Sequence, residues 1–196
     1  MYSRYASKCA NIYIVFLIAA ALLALLPVTG SFAATLPTLP QTYIDTTYSP
    51  PSGNTITVNS GDDLQTALNN AQLGDTIVLQ AGATFTGPCT LPNKTSGSGW
   101  IYIRSGNYFS LPAPGTRVAA SDGSNMPKIV ATSGGVYAIT TVANSHHYRF
   151  VGIEFKPVPG NFVYNLINIG NNETSTALLP NNIVFDRCYI HGDPSA

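Results

Sequence analysis

His147-Tyr-Arg-Phe-Val-Gly-Ile-Glu-Phe155 and Asn182-Ile-Val-Phe-Asp-Arg-Cys-Tyr-Ile190 are one pattern written twice, 35 residues apart. Aligned without a gap, they set Phe150 on Phe185, Ile153 on Cys188 and Phe155 on Ile190. Short apolar strands repeated in this way mark a solenoid, in which each pass of the chain buries its apolar side against its neighbours. Phe150 and Ile153 are three positions apart, yet both face the core in this alignment. Strict alternation forbids that in a straight strand. The chain must therefore turn a corner at Val151-Gly152, and again at Asp186-Arg187.

Upstream of the repeat, Thr55-Ile-Thr-Val-Asn59 alternates as a strand. Gly61-Asp62-Asp63 then opens a short helix, with Leu64, Ala67, Leu68 and Ala71 at helical spacing. Asp62 is the expected N-cap, with Gln65 three residues on. Gly74-Asp75 ends the helix, and Thr76-Ile-Val-Leu-Gln80 returns as a strand. An amphipathic helix placed here would cover the apolar end of a stack of strands, which otherwise recruits other chains. The stretch from Ile56 to Gly87 resembles the N-terminal cap of right-handed parallel β-helix proteins, the pectin-lyase-like superfamily. The resemblance extends over most of residues 55–192. It implies an all-β fold, a right-handed parallel β-helix (solenoid) with a short N-terminal capping α-helix. It also implies contact with extracellular polysaccharide. No cofactor is evident from the residues, and calcium would enter by the resemblance alone.

Further strands are expected at Thr90-Leu91, Trp100 to Arg104, Lys128 to Ala131, Tyr137 to Val142, Tyr148 to Phe155, Leu166 to Ile169 and Ile183 to Ile190, punctuated by Gly, Pro and Asn. Val136-Tyr137 and Val163-Tyr164 also align, 27 residues apart, which makes Asn171 to Thr176 a polar loop inserted in the last pass. A second excursion runs from Gly106 to Pro127. No C-terminal cap follows the last strand. Residues 55–196 are thus expected to be the N-terminal part of a β-helix domain truncated at its C-terminus, whose catalytic residues could lie beyond Ala196.

At the N-terminus, Arg4 and Lys8 precede an uncharged apolar run from Ile12 to Val28, and Ser31-Phe32-Ala33 offers a cleavage site. Residues 1–33 read as a signal peptide and 34–54 as a Pro-rich linker, so the protein is expected to be secreted or at the cell surface. The alternative is a retained anchor, which would bring a membrane contact; the run falls a little short of a span of about 20 residues. Only 9% of the chain is charged and its net charge is zero. With no basic patch there is no footprint for nucleic acid. Cys89 and Cys188 are expected as two buried thiols, because Cys188 takes the place of Ile153 and a bridge needs closely spaced Cα atoms.

Chemistry-bearing residues are densest from Asp186 to Asp193. A polysaccharide lyase needs a cation to neutralise a uronate carboxylate and a base to take the adjacent proton. Asp186 and Asp193 could supply oxygens, Arg187 the base, and His191 lies between them. The plainer reading is preferred: Asp186 and Arg187 satisfy backbone groups at the corner, and His191-Gly192-Asp193 is the next turn. A hydrolase would need a pair of acids flanking one bond, roughly 5 to 10 Å apart, and pairing Asp186 with Asp193 has no independent support. His146 and His147 are expected to diverge, as neighbours on a strand do, and so not to bind metal. Trp100, Tyr102, Tyr137 and Tyr164 are either sugar-stacking platforms or packing. Asn93-Lys94-Thr95 and Asn172-Glu173-Thr174 fit the N-glycosylation pattern in loops. Two functions remain: an exported protein that binds or degrades polysaccharide, lyase- or hydrolase-like, or a non-enzymatic adhesin or structural solenoid.

Overall fold

The computed structural model describes residues 50–195; the expected signal peptide, 1–33, and most of the expected linker, 34–54, lie outside them. The chain begins with β1 (Thr55–Val58), α1 (Leu64–Asn70), β2 (Thr76–Leu79), β3 (Thr84–Thr86), β4 (Cys89–Leu91) and β5 (Ile101–Ser105). Two 3-10 segments, Tyr108–Ser110 and Ala120–Asn125, lead to β6 (Lys128–Ala131), β7 (Ile139–Thr141), β8 (His146–Val151) and β9 (Glu154–Pro157). Then come β10 (Ile167–Asn168), a 3-10 turn at Thr176–Leu178, β11 (Asn181–Asp186) and β12 (Tyr189–Ile190). Every strand pairing is parallel.

The strands sort into three sheets, in the orders β1-β2-β5-β8-β11, β10-β7-β4 and β12-β9-β6-β3. This corrects the expected fold class. The described residues form three separate parallel sheets of five, three and four strands, with one α-helix and three 3-10 segments. They do not form the closed, all-β solenoid that the resemblance implied. The physical reason is that hydrogen bonding stops at each corner. β8 breaks from β9 at Gly152, whose φ is +66°, and β11 breaks from β12 at Arg187, whose φ is +50°. The passes are also unequal, since the register joins Thr55 to Thr76, Thr76 to Tyr102, Ile101 to Tyr148 and Tyr148 to Ile183.

The repeat itself is in the register. Phe150 pairs with Phe185 and Phe155 with Ile190. The rings of Phe150 and Phe185 stack at 5.1 Å and 6°. Inward columns run Ile77–Ile103–Phe150–Phe185 and Phe85–Ile129–Phe155–Ile190 on the two larger sheets. Each fully buried member contributes about 1.5–3 kcal/mol of apolar burial. The last pass is the least covered: Phe185 and Cys188 are half-buried and Ile190 is exposed. Cys89 is buried, and both thiols are free; burial pushes each up to about 12. On the three-stranded sheet Ile139 pairs with Ile167, one position off the 27-residue alignment, so Tyr137 and Tyr164 do not face each other.

Around α1 the cap is one residue later than expected. Asp63, not Asp62, accepts from Gln65 N and Thr66 N, while Asp62 Oδ2 accepts from Asn59 N at 2.7 Å. Gln65 is freed for another task. Its Nε2 donates to Thr90 O at 2.9 Å and its Oε1 accepts from Thr90 N at 2.7 Å. A side-chain amide thus occupies the backbone groups of β4 as a neighbouring strand would. Lys94 Nζ donates to Asn69 O at the far end of the helix. Asp75 ties down the end of the linker, accepting from Asn54 N at 2.7 Å.

Candidate functional site

On the outer face of the four-stranded sheet, alternation sets polar residues beside the inward Ile129, Phe155 and Ile190. Lys128, Glu154 and Tyr189 share one register column, and Val130 and Lys156 share the next. His191 follows β12 and donates its N–H to Phe155 O at 3.1 Å. Glu154 is the centre. Its side chain is only 7% exposed, and it meets Lys128 at 3.4 Å, Lys156 at 3.3 Å and His191 Nε2 at 3.1 Å. Burial would raise its pKa, but the His191 hydrogen bond and the two ammonium charges outweigh burial and hold the carboxyl below its ordinary value.

The two lysines differ in what they have left to give. Lys128 spends its donors on Gly123 O and Met126 O, each at 3.2 Å, and on Glu154. Lys156 makes one ion pair, with Glu154 Oε1, and its ammonium carries three donors. His191 meets an oxygen at each ring nitrogen, Gly192 O at 2.8 Å and Glu154 Oε1. Its ring stacks on Tyr189 at 4.2 Å. Beside these groups lies a half-open cleft of about 200 Å³, walled by Lys156, His191, Asp193 and the rings of Pro157, Pro159 and Pro194. Asp193 holds the cleft's two loops together: its carboxylate accepts from Gly160 N at 2.5 Å and Ser195 N at 2.8 Å. Those backbone donors keep its pKa below the usual carboxylate range.

Asp186 and Arg187 belong to a different place. At the corner of the five-stranded sheet, Asp186 accepts from Arg149 Nη2 at 3.0 Å and from Arg187 Nε at 3.0 Å. Arg187 Nη1 also donates to Pro112 O at 3.1 Å, which fastens the excursion from Gly106 to Pro127. Burial would raise the Asp186 pKa, but hydrogen bonds and charge from the two arginines bring it below its ordinary value. The four candidates of the sequence are thus split: His191 and Asp193 line the proline-walled cleft, and Asp186 and Arg187 do not. Glu154, Lys156, Lys128 and Tyr189 were missed. Their signal was present in Lys-Ile-Val, Glu-Phe-Lys and Tyr-Ile-His, apolar residues flanked by polar ones on both sides in the last two and on one side in the first, which stack once the register is known.

Two further expectations change. Tyr102 is buried, so it is no platform, whereas Tyr164 is 75% exposed beside an exposed Phe162, with ring centroids 5.2 Å apart. His146 and His147 converge instead of diverging, with their Nδ1 atoms 2.8 Å apart. His147 has φ +59°, and a residue in that conformation breaks the alternation on which the expectation rested. Asn93 and Asn172 are both exposed.

No protein-family model matches the chain, and no curated protein matches it. Among solved structures it is similar to an alginate lyase from Paenibacillus sp. str. FPU-7, at 22% identity and a TM-score of 0.47, over 71% of this chain and 37% of that one. The chain therefore spans little more than a third of the length of that lyase, and at this identity and score the likeness is distant.

Proposed function

We propose that the protein is exported and engages a uronate-containing polysaccharide at the cleft beside Glu154, with eliminative cleavage as the chemistry the site serves. The observation that carries this reading is the excess of cation around one buried carboxylate: Lys128, Lys156 and His191 surround Glu154, and Lys156 and His191 open onto the cleft. Export rests on the apolar run and cleavage pattern of residues 1–33.

Elimination breaks the C–H bond next to the uronate carboxylate and the C–O bond to the leaving sugar and forms a C=C bond; a base takes the proton, the leaving oxygen gains one, and no oxidant is needed. Charge grows on the carboxylate as the proton departs, so cations fixed against it stabilise the transition state. Lys156 and His191 supply that charge. Lys128 holds Glu154 in place. Hydrolysis is supported less well. It needs one carboxylic acid kept protonated, and both Glu154 and Asp193 are held below their ordinary values. Exposed Phe162 and Tyr164 support simple binding as the second reading, since aromatic faces suit sugar rings.

Incubation with alginate, pectate and a neutral glycan tests the reading. A new unsaturated-uronate absorbance with the acidic polymers alone supports elimination, and retention on them without absorbance supports a binding module. Reducing ends without that absorbance, or no preference for acidic chains, would overturn the assignment.

A further inference from the structure

His146 and His147 open β8 with rings almost perpendicular, 88° apart, and with Nδ1 facing Nδ1 at 2.8 Å. The left-handed backbone that brings them together is a property of the pass, because Asn182, one pass later, has φ +51°. Asparagine suits that conformation better than histidine does. The turn is therefore shared between passes, and the imidazole pair belongs to this pass alone.

At 2.8 Å the two nitrogens form a hydrogen bond when one of them carries the proton, and an ion lying to one side of the pair can bind both once that proton is gone. The distance discriminates among ions. Two imidazole nitrogens bound at about 2.0 Å stand about 2.8 Å apart at right angles, and about 3.3 Å apart at the tetrahedral angle. The observed spacing matches adjacent positions of a tetragonal ion. Both rings are half-buried, so solvent reaches the other positions, and Asn181 stands in register with His146. Among the described residues no group of three or more His, Cys, Asp or Glu is placed to hold a metal, which makes this a two-imidazole site completed by water.

We propose that His146 and His147 bind a tetragonal divalent transition-metal ion, with Cu(II) preferred over Zn(II). Divalent copper heads the affinity order for nitrogen ligands and takes the tetragonal geometry that zinc does not seek.

The chain carries its own reporter. Trp100 is the single tryptophan, and its ring lies 5.2 Å from that of His147. The full chain, free of any histidine tag, is titrated with CuCl2 while tryptophan fluorescence is followed. The expected result is saturable quenching at one equivalent, half-complete at micromolar concentration, with a tetragonal copper signal in electron paramagnetic resonance showing nitrogen coupling. A tenfold excess of ZnCl2 leaves the quenching in place. The double variant H146N/H147N copies Asn181-Asn182 of the next pass, so it keeps a residue suited to the turn. It is expected to need at least tenfold more copper, with unchanged circular dichroism. If that variant does not fold, His146→Asn alone, at a position without positive φ, gives the same test. Equal quenching in a folded variant, displacement of copper by zinc, or loss of quenching in His191→Ala would overturn the proposal.

Discussion

Asp186 and Glu154 are each a carboxylate ringed by cations on the outer face of a parallel sheet, but the cations differ in kind. Asp186 is gripped by two guanidinium forks, and one of these also holds Pro112 O. Glu154 is met by two ammonium groups and an imidazole, which stand beside an open cleft. A fork is rigid and commits several donors in one plane, whereas an ammonium is a point charge on a flexible stem. The first arrangement suits a clamp on a loop and the second suits a group that must exchange partners. Similar charge at the two places therefore supports two different jobs.

The sharpest way to break this contrast is to remove one cation from each. Lys156→Ala is expected to lower turnover or retention on alginate or pectate at least tenfold with the melting temperature nearly unchanged. Arg187→Ala is expected to do the reverse. If both variants lose stability alike, the cleft cluster is structural too. Next in size, Asp186→Asn should cost about 2–3 kcal/mol in urea denaturation, the low end for breaking a buried pair because the cluster keeps some solvent contact. Glu154→Gln should cost less, about 1–2 kcal/mol, and should move elution from a polyuronate column to higher salt, because two ammonium charges lose their counter-ion.

Acid sharpens the comparison further. Both carboxyls have folded pKa values below their ordinary values of 4.5 and 3.8. Their contribution is therefore complete above those values and is lost as pH falls through the lower folded ones. Urea midpoints measured from pH 7 down to pH 3 should fall steeply only in the acid range, and Asp186→Asn should flatten part of that slope. The smallest effect separates conformation from charge at the corner. Arg187→Gly should be about 1 kcal/mol less destabilising than Arg187→Ala, since φ +50° strains any side chain but not glycine.

Much of the fold was legible because register leaves a mark on apolar residues. Phe150 over Phe185, the corner at Gly152, the helix between β1 and β2 and the two free thiols could all be read from spacing. What escaped were features set by single backbone angles or by distant partners. The convergence of His146 and His147 depends on one positive φ, and no periodicity announces that. β3 has three residues, too few for alternation to stand out. The division into separate sheets follows from where hydrogen bonding stops, and a resemblance in one capping segment does not reveal it. The Glu154 cluster draws on β6, β9 and β12, so it became visible only when their columns were aligned. Asp186 and Arg187 drew notice because they are neighbours in sequence. Lys156 and His191, the cations that open onto the cleft, come together only in space.

Gln65 has a consequence for how copies of this molecule can grow together. Its amide fills the donor and acceptor of Thr90, so the β4 edge offers no vacant rung there. The opposite edge of the same sheet, β10, pairs only with β7. Among the described residues the two edges of this sheet thus differ, since only the β4 edge is filled by a side-chain amide. A strand added from another copy would need free backbone donors and acceptors on the edge it joins. One glutamine side chain therefore closes this edge of the sheet to a further strand at Thr90.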